Sequence, residues 1–182
     1  MKHEFAPQTL HIAAFAKEGV RQVGVQKLAH FQRLMEETAG LGGEIPVEYS
    51  VQGHIQADAA GVDEPWIALT ASTSMLLTCQ RCLGPVDVPV EFAREFRFVA
   101  NEELAAIEDE ESEEDVLVIS KSFNLLELIE DELLMSMPPA PKHGTCPKPV
   151  KLQAADPDFV DEPAEKANPF AVLQQLKKSG DA

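Results

Sequence analysis

Ile45-Pro46-Val47-Glu48-Tyr49-Ser50-Val51-Gln52-Gly53-His54-Ile55-Gln56 is the stretch whose reading decides the fold. Ile45, Val47, Tyr49, Val51 and Ile55 hold odd positions, and Glu48, Ser50, Gln52, His54 and Gln56 hold even ones. Successive side chains of a strand point to opposite faces, so this period of two predicts a strand with one buried and one wet face. The pattern recurs twice downstream. Ile67, Leu69, Ala71, Thr73, Met75 and Leu77 form the apolar set of a second strand. Val86, Val88, Val90, Phe92, Phe96 and Phe98 form that of a third, with Asp87, Glu91, Glu95 and Arg97 opposite. Residues 58–65 read as a loop, and Leu83-Gly84-Pro85 as a chain reversal. Three alternating stretches with short links predict an antiparallel meander with one covered face.

Before the first strand, residues 8–16 read as a short strand or the lead-in to a helix. Val25, Leu28, Phe31, Leu34 and Met35 recur at roughly helical spacing, which predicts a helix over 25–37 ended by Gly40, Gly42 and Gly43. After the third strand, residues 100–115 contain Glu108-Asp-Glu-Glu-Ser-Glu-Glu-Asp115. Charge of that density repels itself, and a mobile loop is expected. Residues 116–119 read as a fourth strand. Asn124 with Glu127 resembles a capping box and opens the strongest helix. Its apolar stripe is Leu125, Leu128, Ile129, Leu133 and Met137, with Glu127, Glu130 and Asp131 on a solvated face, and Pro138-Pro139 ends it. The remainder is rich in Pro, Lys and Asp. Near its end, residues 168–178 form a short amphipathic segment with Phe170, Leu173 and Leu176 on one side, either docked on the domain or offered to a partner. The expected fold class is therefore α+β: an antiparallel β-meander covered by helices, with an extended proline-rich C-terminal tail. Residues 1–146 make one domain, and 147–182 make the tail.

The 182-residue chain carries a net charge of −16, which argues against a general nucleic-acid binder, because neutralising phosphates takes Lys and Arg. The charge is uneven. Residues 1–33 hold Lys2, Lys17, Arg21, Lys27 and Arg33 against Glu4 and Glu18, whereas 99–136 hold thirteen acids against Lys121. The basic set makes either an RNA-facing helix or the polar face of a helix covering the sheet. No stretch nears the roughly 18 uninterrupted apolar residues of a membrane span. The N-terminal Met1-Lys2-His3-Glu4-Phe5 lacks a signal-peptide core, and the reading is cytoplasmic. No phosphate loop, GxSxG or HExxH is found, and no nucleophile–base set assembles, so neither an enzyme nor a small-molecule substrate is expected.

Three cysteines fit poorly with a disulfide framework. Cys79-Gln80-Arg81-Cys82 and His143-Gly144-Thr145-Cys146 are two short pairs, and each can offer two ligands to one tetrahedral zinc ion. Arg81 sits where it can also meet phosphate or an acidic partner. The other readings are that the cysteines simply pack, or that Cys79 and Cys82 form a redox pair without the βαβ setting expected of one.

Four blocks in order carry a resemblance: Leu76-Leu-Thr-Cys-Gln-Arg-Cys82, Leu126-Glu-Leu-Ile-Glu-Asp-Glu-Leu-Leu134, Pro138-x-x-Pro141-x-His143-x-x-Cys146 and Asn168-Pro-Phe-Ala-Val-Leu173. Together they resemble the YceD family, the DUF177 group, whose members are called large ribosomal RNA subunit accumulation proteins. The resemblance implies a non-enzymatic bacterial factor for accumulation of 23S ribosomal RNA and large-subunit biogenesis. Its implied partners are the large-subunit precursor, 23S rRNA, or a basic ribosomal protein. Some relatives have a more cysteine-rich second block, whereas here that block offers His143 and Cys146. Two modes of action remain open. The protein binds precursor particles or their RNA through residues 17–33 and Arg81, or it is an acidic chaperone for a basic ribosomal protein without RNA contact.

Overall fold

The alternating stretches form long strands whose apolar sides face the same way. The structure, a computed structural model, describes residues 5–57, 61–109, 112 and 114–148. These belong to one compact unit, Met1–Pro149. In chain order it contains α1 (Ile12–Glu18), β1 (Arg21–Lys27), a 3-10 turn (Leu28–His30), α2 (Gln32–Glu37), β2 (Pro46–Ala57), β3 (Asp63–Thr78), β4 (Pro85–Val99), α3 (Glu102–Asp109), β5 (Asp115–Val118) and α4 (Leu125–Ser136). The five strands form one sheet in sequence order. β1 to β4 are an antiparallel meander, and β5 joins β4 in parallel after the crossover through α3. The α+β class stands, with a mixed sheet in place of a purely antiparallel one. From residue 149 on, the expected tail, including Phe170, Leu173 and Leu176, lies outside the described residues.

The inner face of the sheet carries Val47, Tyr49, Val51, Ile67, Leu69, Met75, Val90, Phe92, Phe96 and Phe98, all buried. α1 covers β2 and β3, and α4 lies over β4 and β3. Phe15, Phe31, Leu125, Ile129 and Leu133 fill the layer between. Burying each such side chain contributes about 1.5–3 kcal/mol. Leu10 pairs with Phe123 as an isolated bridge and α1 starts at Ile12, so residues 8–16 lead into a helix and form no strand. α1 approaches β2 at Gly53, where an added Cβ would lie 2.7 Å from the Phe15 carbonyl oxygen and 2.8 Å from the Ala16 Cα. Backbone cannot yield as a side-chain tip can. Gly53→Ala is therefore expected to destabilise the fold by about 1–3 kcal/mol in urea titrations.

Three sequence expectations are corrected. The helix over 25–37 does not form as such: β1 takes residues through Lys27, and only Gln32–Glu37 is α-helical. β1 obeys a period of two with inverted polarity. Gln22, Gly24 and Gln26 face inward, while Val23 and Val25 are 68% and 59% exposed. The Tyr49 ring occupies the space that a Cβ on Gly24 would need. The acidic stretch likewise holds a helix, α3, between two strands. Glu102 and Glu103 sit in its first turn, where carboxylates suit the helix dipole. Asn101 accepts from the Leu104 N–H, Ala105 packs on Val99 and Val116, and Glu108 lies 2.7 Å from Arg97. Residues 110, 111 and 113 are outside the described set.

The solvated face expected of α4 is also only partly so, because Glu130 is 8% exposed; Glu132, next to that face, is 3% exposed. Asn124 caps α4 by accepting from the Leu126 N–H at 3.2 Å. Among the described residues no helix is long and apolar enough to cross a membrane.

Candidate metal centre

β3 ends at Thr78 and β4 begins at Pro85, so residues 79–84 form the reversal. Cys79 N–H donates to the Gly84 carbonyl and Leu83 N–H to the Cys79 carbonyl, each at 2.9 Å. Leu83 takes a left-handed φ of 57°, which folds the knuckle back on itself. Cys79 is fully buried beneath the turn, and Cys82 is half-buried at its outer end.

The second pair arrives from the end of α4. Past Met137 the chain runs beside the knuckle, where Gln80 N–H donates to the Pro141 carbonyl at 2.8 Å. Arg81 donates through Nη2 to the carbonyls of His143 and, at 3.3 Å, Gly144. Cys79 Sγ then lies 4.0 Å from Cys146 Sγ, and Cys82 Sγ lies 3.4 Å from His143 Nδ1. One ligand atom from each of Cys79, Cys82, His143 and Cys146 falls within 4.8 Å of all the others. A tetrahedral ion bound at about 2.3 Å to sulfur and about 2.0–2.1 Å to nitrogen places neighbouring ligands roughly 3.5–3.8 Å apart, so the set needs only a small contraction. His143 Nε2 is 3.0 Å from the Pro85 carbonyl. Donating its proton there leaves the Nδ1 lone pair facing the sulfurs, the arrangement that orients a metal-binding imidazole.

The electrostatics also suit a cation. Burial pushes the Cys79 thiol up, but the backbone N–H groups of Cys82, Arg81 and His143, together with the His143 ring, outweigh it and hold the thiol at about 5. Burial, contacts with Cys82 and Cys79, and the negative charge of those two sulfurs push Cys146 up to about 11. Anionic sulfur is thus already stabilised at one position, and a divalent ion would relieve the repulsion that keeps the proton on another.

The other residues singled out from the sequence are dispersed. Lys17 is in the last turn of α1. Arg21 reaches Ser50 Oγ at 3.3 Å, Lys27 pairs with Glu44 at 2.7 Å, and Arg33 pairs with Glu130 and Asp131. Arg81 is engaged with the two carbonyls above. The Pro85 carbonyl as the histidine's anchor leaves no mark in the sequence, since any residue there offers a carbonyl.

No solved structure matches the chain. A family model does, over residues 67–177, a stretch containing β3 from Ile67 onward, the knuckle, β4, α4 and the His143–Cys146 block. The chain belongs to the family described as large ribosomal RNA subunit accumulation protein YceD.

Proposed function

We propose that this protein is a non-enzymatic cytoplasmic factor for 23S rRNA accumulation, acting by binding the precursor of the large ribosomal subunit through its RNA or its proteins. We further propose that Cys79, Cys82, His143 and Cys146 hold a zinc ion. When bound, zinc supplies a cross-link rather than a reactive centre, since four protein ligands close the coordination shell. The chain's own residues do the rest. The knuckle and Arg81 fix the irregular segment that follows α4, so a surface made from both is presented as one rigid piece. The gathering of the four ligands within the family-matched stretch is the observation that carries this reading. It is tested by sedimenting cell extracts through a density gradient. The protein is expected to travel with precursor large subunits, and a deletion strain to accumulate less 23S rRNA. Protein confined to the top of the gradient at low salt, with unchanged rRNA, would overturn it.

The alternative, a module for a basic ribosomal protein with no RNA contact, is favoured by the ion pairing of Lys27 and Arg33 and by the carboxylates on the open face of the sheet. Crosslinking to RNA in cells separates the two, because strong crosslinks within residues 17–33 exclude the alternative.

A further inference from the structure

The three helices α1, α2 and α4 share one face of the sheet, which leaves much of the other face open. The strand register lays out that open face in rows. Val25, Glu48, Ser72 and Glu91 form one row across β1 to β4, and Val23, Ser50, Thr70 and Ala93 form the next. Beyond these lies the row Arg21, Gln52, Ala68 and Glu95. The middle of the face is therefore floored by small side chains. Two shallow depressions of about 610 and 300 Å³ share Glu48, Ser72 and Glu91.

We propose that this open face docks a lysine- or arginine-rich segment of a partner protein, with a cationic head seated over Ser72 between Glu48 and Glu91. Adjacent strands are about 4.8 Å apart, so the two glutamates stand on backbones roughly 10 Å apart with only a serine between them. That leaves room for an ammonium or guanidinium group that both carboxylates can approach. Val23, Val25 and Ala93 lie alongside, and they suit the aliphatic stems of such side chains. Glu48, Glu91 and Glu95 have no ion-pair partner among the described residues; of the cations at the β1 edge, Lys27 is paired with Glu44 and Arg21 donates to Ser50 Oγ, one row from Glu48, so the three glutamates leave the face with an excess of negative charge. Charge selects the occupant. Phosphates of RNA would meet carboxylates, and a second copy would bring the same glutamates against themselves, whereas a cationic protein segment meets complementary charge.

This proposal rests on reading the protein as a binding factor and names the face that binds. Its test uses the full chain and a labelled peptide of alternating arginine and alanine, with fluorescence anisotropy as the readout. Glu48→Gln with Glu91→Gln is expected to weaken binding about tenfold or more, without lowering the melting temperature. The charge-matched control Glu18→Gln with Glu127→Gln should bind like wild type. Equal loss in both double variants, or no peptide binding by wild type, overturns the proposal. Gradient sedimentation is run in parallel. Wild type that travels with precursor particles but ignores the peptide refutes only the docking face. Wild type that binds the peptide but stays off the particles refutes only the role in subunit biogenesis.

Discussion

Replacing Cys79 by serine is expected to remove the bound metal and to release the segment after α4 from the knuckle. Cys79 is the fully buried member of the four, and its sulfur is the one the surrounding N–H groups hold as an anion. A serine hydroxyl is a far poorer zinc ligand and is not ionised near neutral pH. Metal binding by such sites is worth about 10–16 kcal/mol in small zinc domains, and loss of one thiolate removes a large part of it. The fold should survive, because the core built from β2, β3, β4, α1 and α4 does not depend on the ion. The measurable results are metal content falling from one ion per chain to none, and protease cleavage appearing between residues 138 and 148. Gln80 to Pro141 and Arg81 to His143 remain as hydrogen bonds, but exposed bonds of this kind contribute only about 0.5–1.5 kcal/mol each. Unchanged metal content and unchanged proteolysis would show that packing alone holds the segment. Chelation of wild type should reproduce the variant, and re-addition of zinc should reverse it.

Glu130→Ala is expected to have the largest effect on the stability of the helical layer, about 2–4 kcal/mol. α2 starts at Gln32, and its N-cap, Phe31, offers no side-chain acceptor. Glu130 reaches across from α4 to do this instead. Its Oε1 accepts from the backbone N–H groups of Arg33 at 2.7 Å and Leu34 at 3.3 Å, and its Oε2 faces the Arg33 guanidinium at 3.2 Å. Alanine would strand those N–H groups. The ion pair contributes little of the total, since Arg33 is half exposed to water. Glu130→Gln keeps an acceptor and should recover much of the loss. A urea midpoint for Glu130→Ala equal to wild type contradicts this account.

Glu132, two residues on, should behave in the opposite way. Burial lifts its carboxyl above the usual range, and Arg94 pulls it only partly back. A raised carboxyl pKa gives stability that is full below the ordinary value of about 4.3 and is lost as pH rises through the folded one. Glu132→Gln is therefore expected to match wild type near pH 3 and to be the more stable protein at neutral pH. A glutamine variant less stable at neutral pH would show that the Arg94 contact outweighs burial.

These residues also mark where the sequence was legible. β2, β3 and β4 could be read because their odd or even apolar residues face a single helical layer. β1 could not, because its valines point outward and its inward positions are two glutamines and a glycine beneath Tyr49. α3 was hidden by acids that read as self-repelling but that sit at its N-terminus and against Arg97. The four candidate ligands were legible as two short pairs. Their meeting depended on tertiary structure, with the end of α4 brought beside the β3–β4 turn. Spacing along α4 puts Glu130 on the solvated side and does not reveal that the N-terminus of α2 lies against it. The carboxylates of the open face were visible as wet positions, but their alignment in one row required the register.

The most direct test of the metal centre is zinc-edge X-ray absorption on protein purified without affinity metal or chelator. The expected result is one zinc per chain, with three sulfur ligands at about 2.3 Å and one nitrogen at about 2.0–2.1 Å. Zinc well below one per chain, or a shell dominated by oxygen, would contradict the claim that Cys79, Cys82, His143 and Cys146 bind it together.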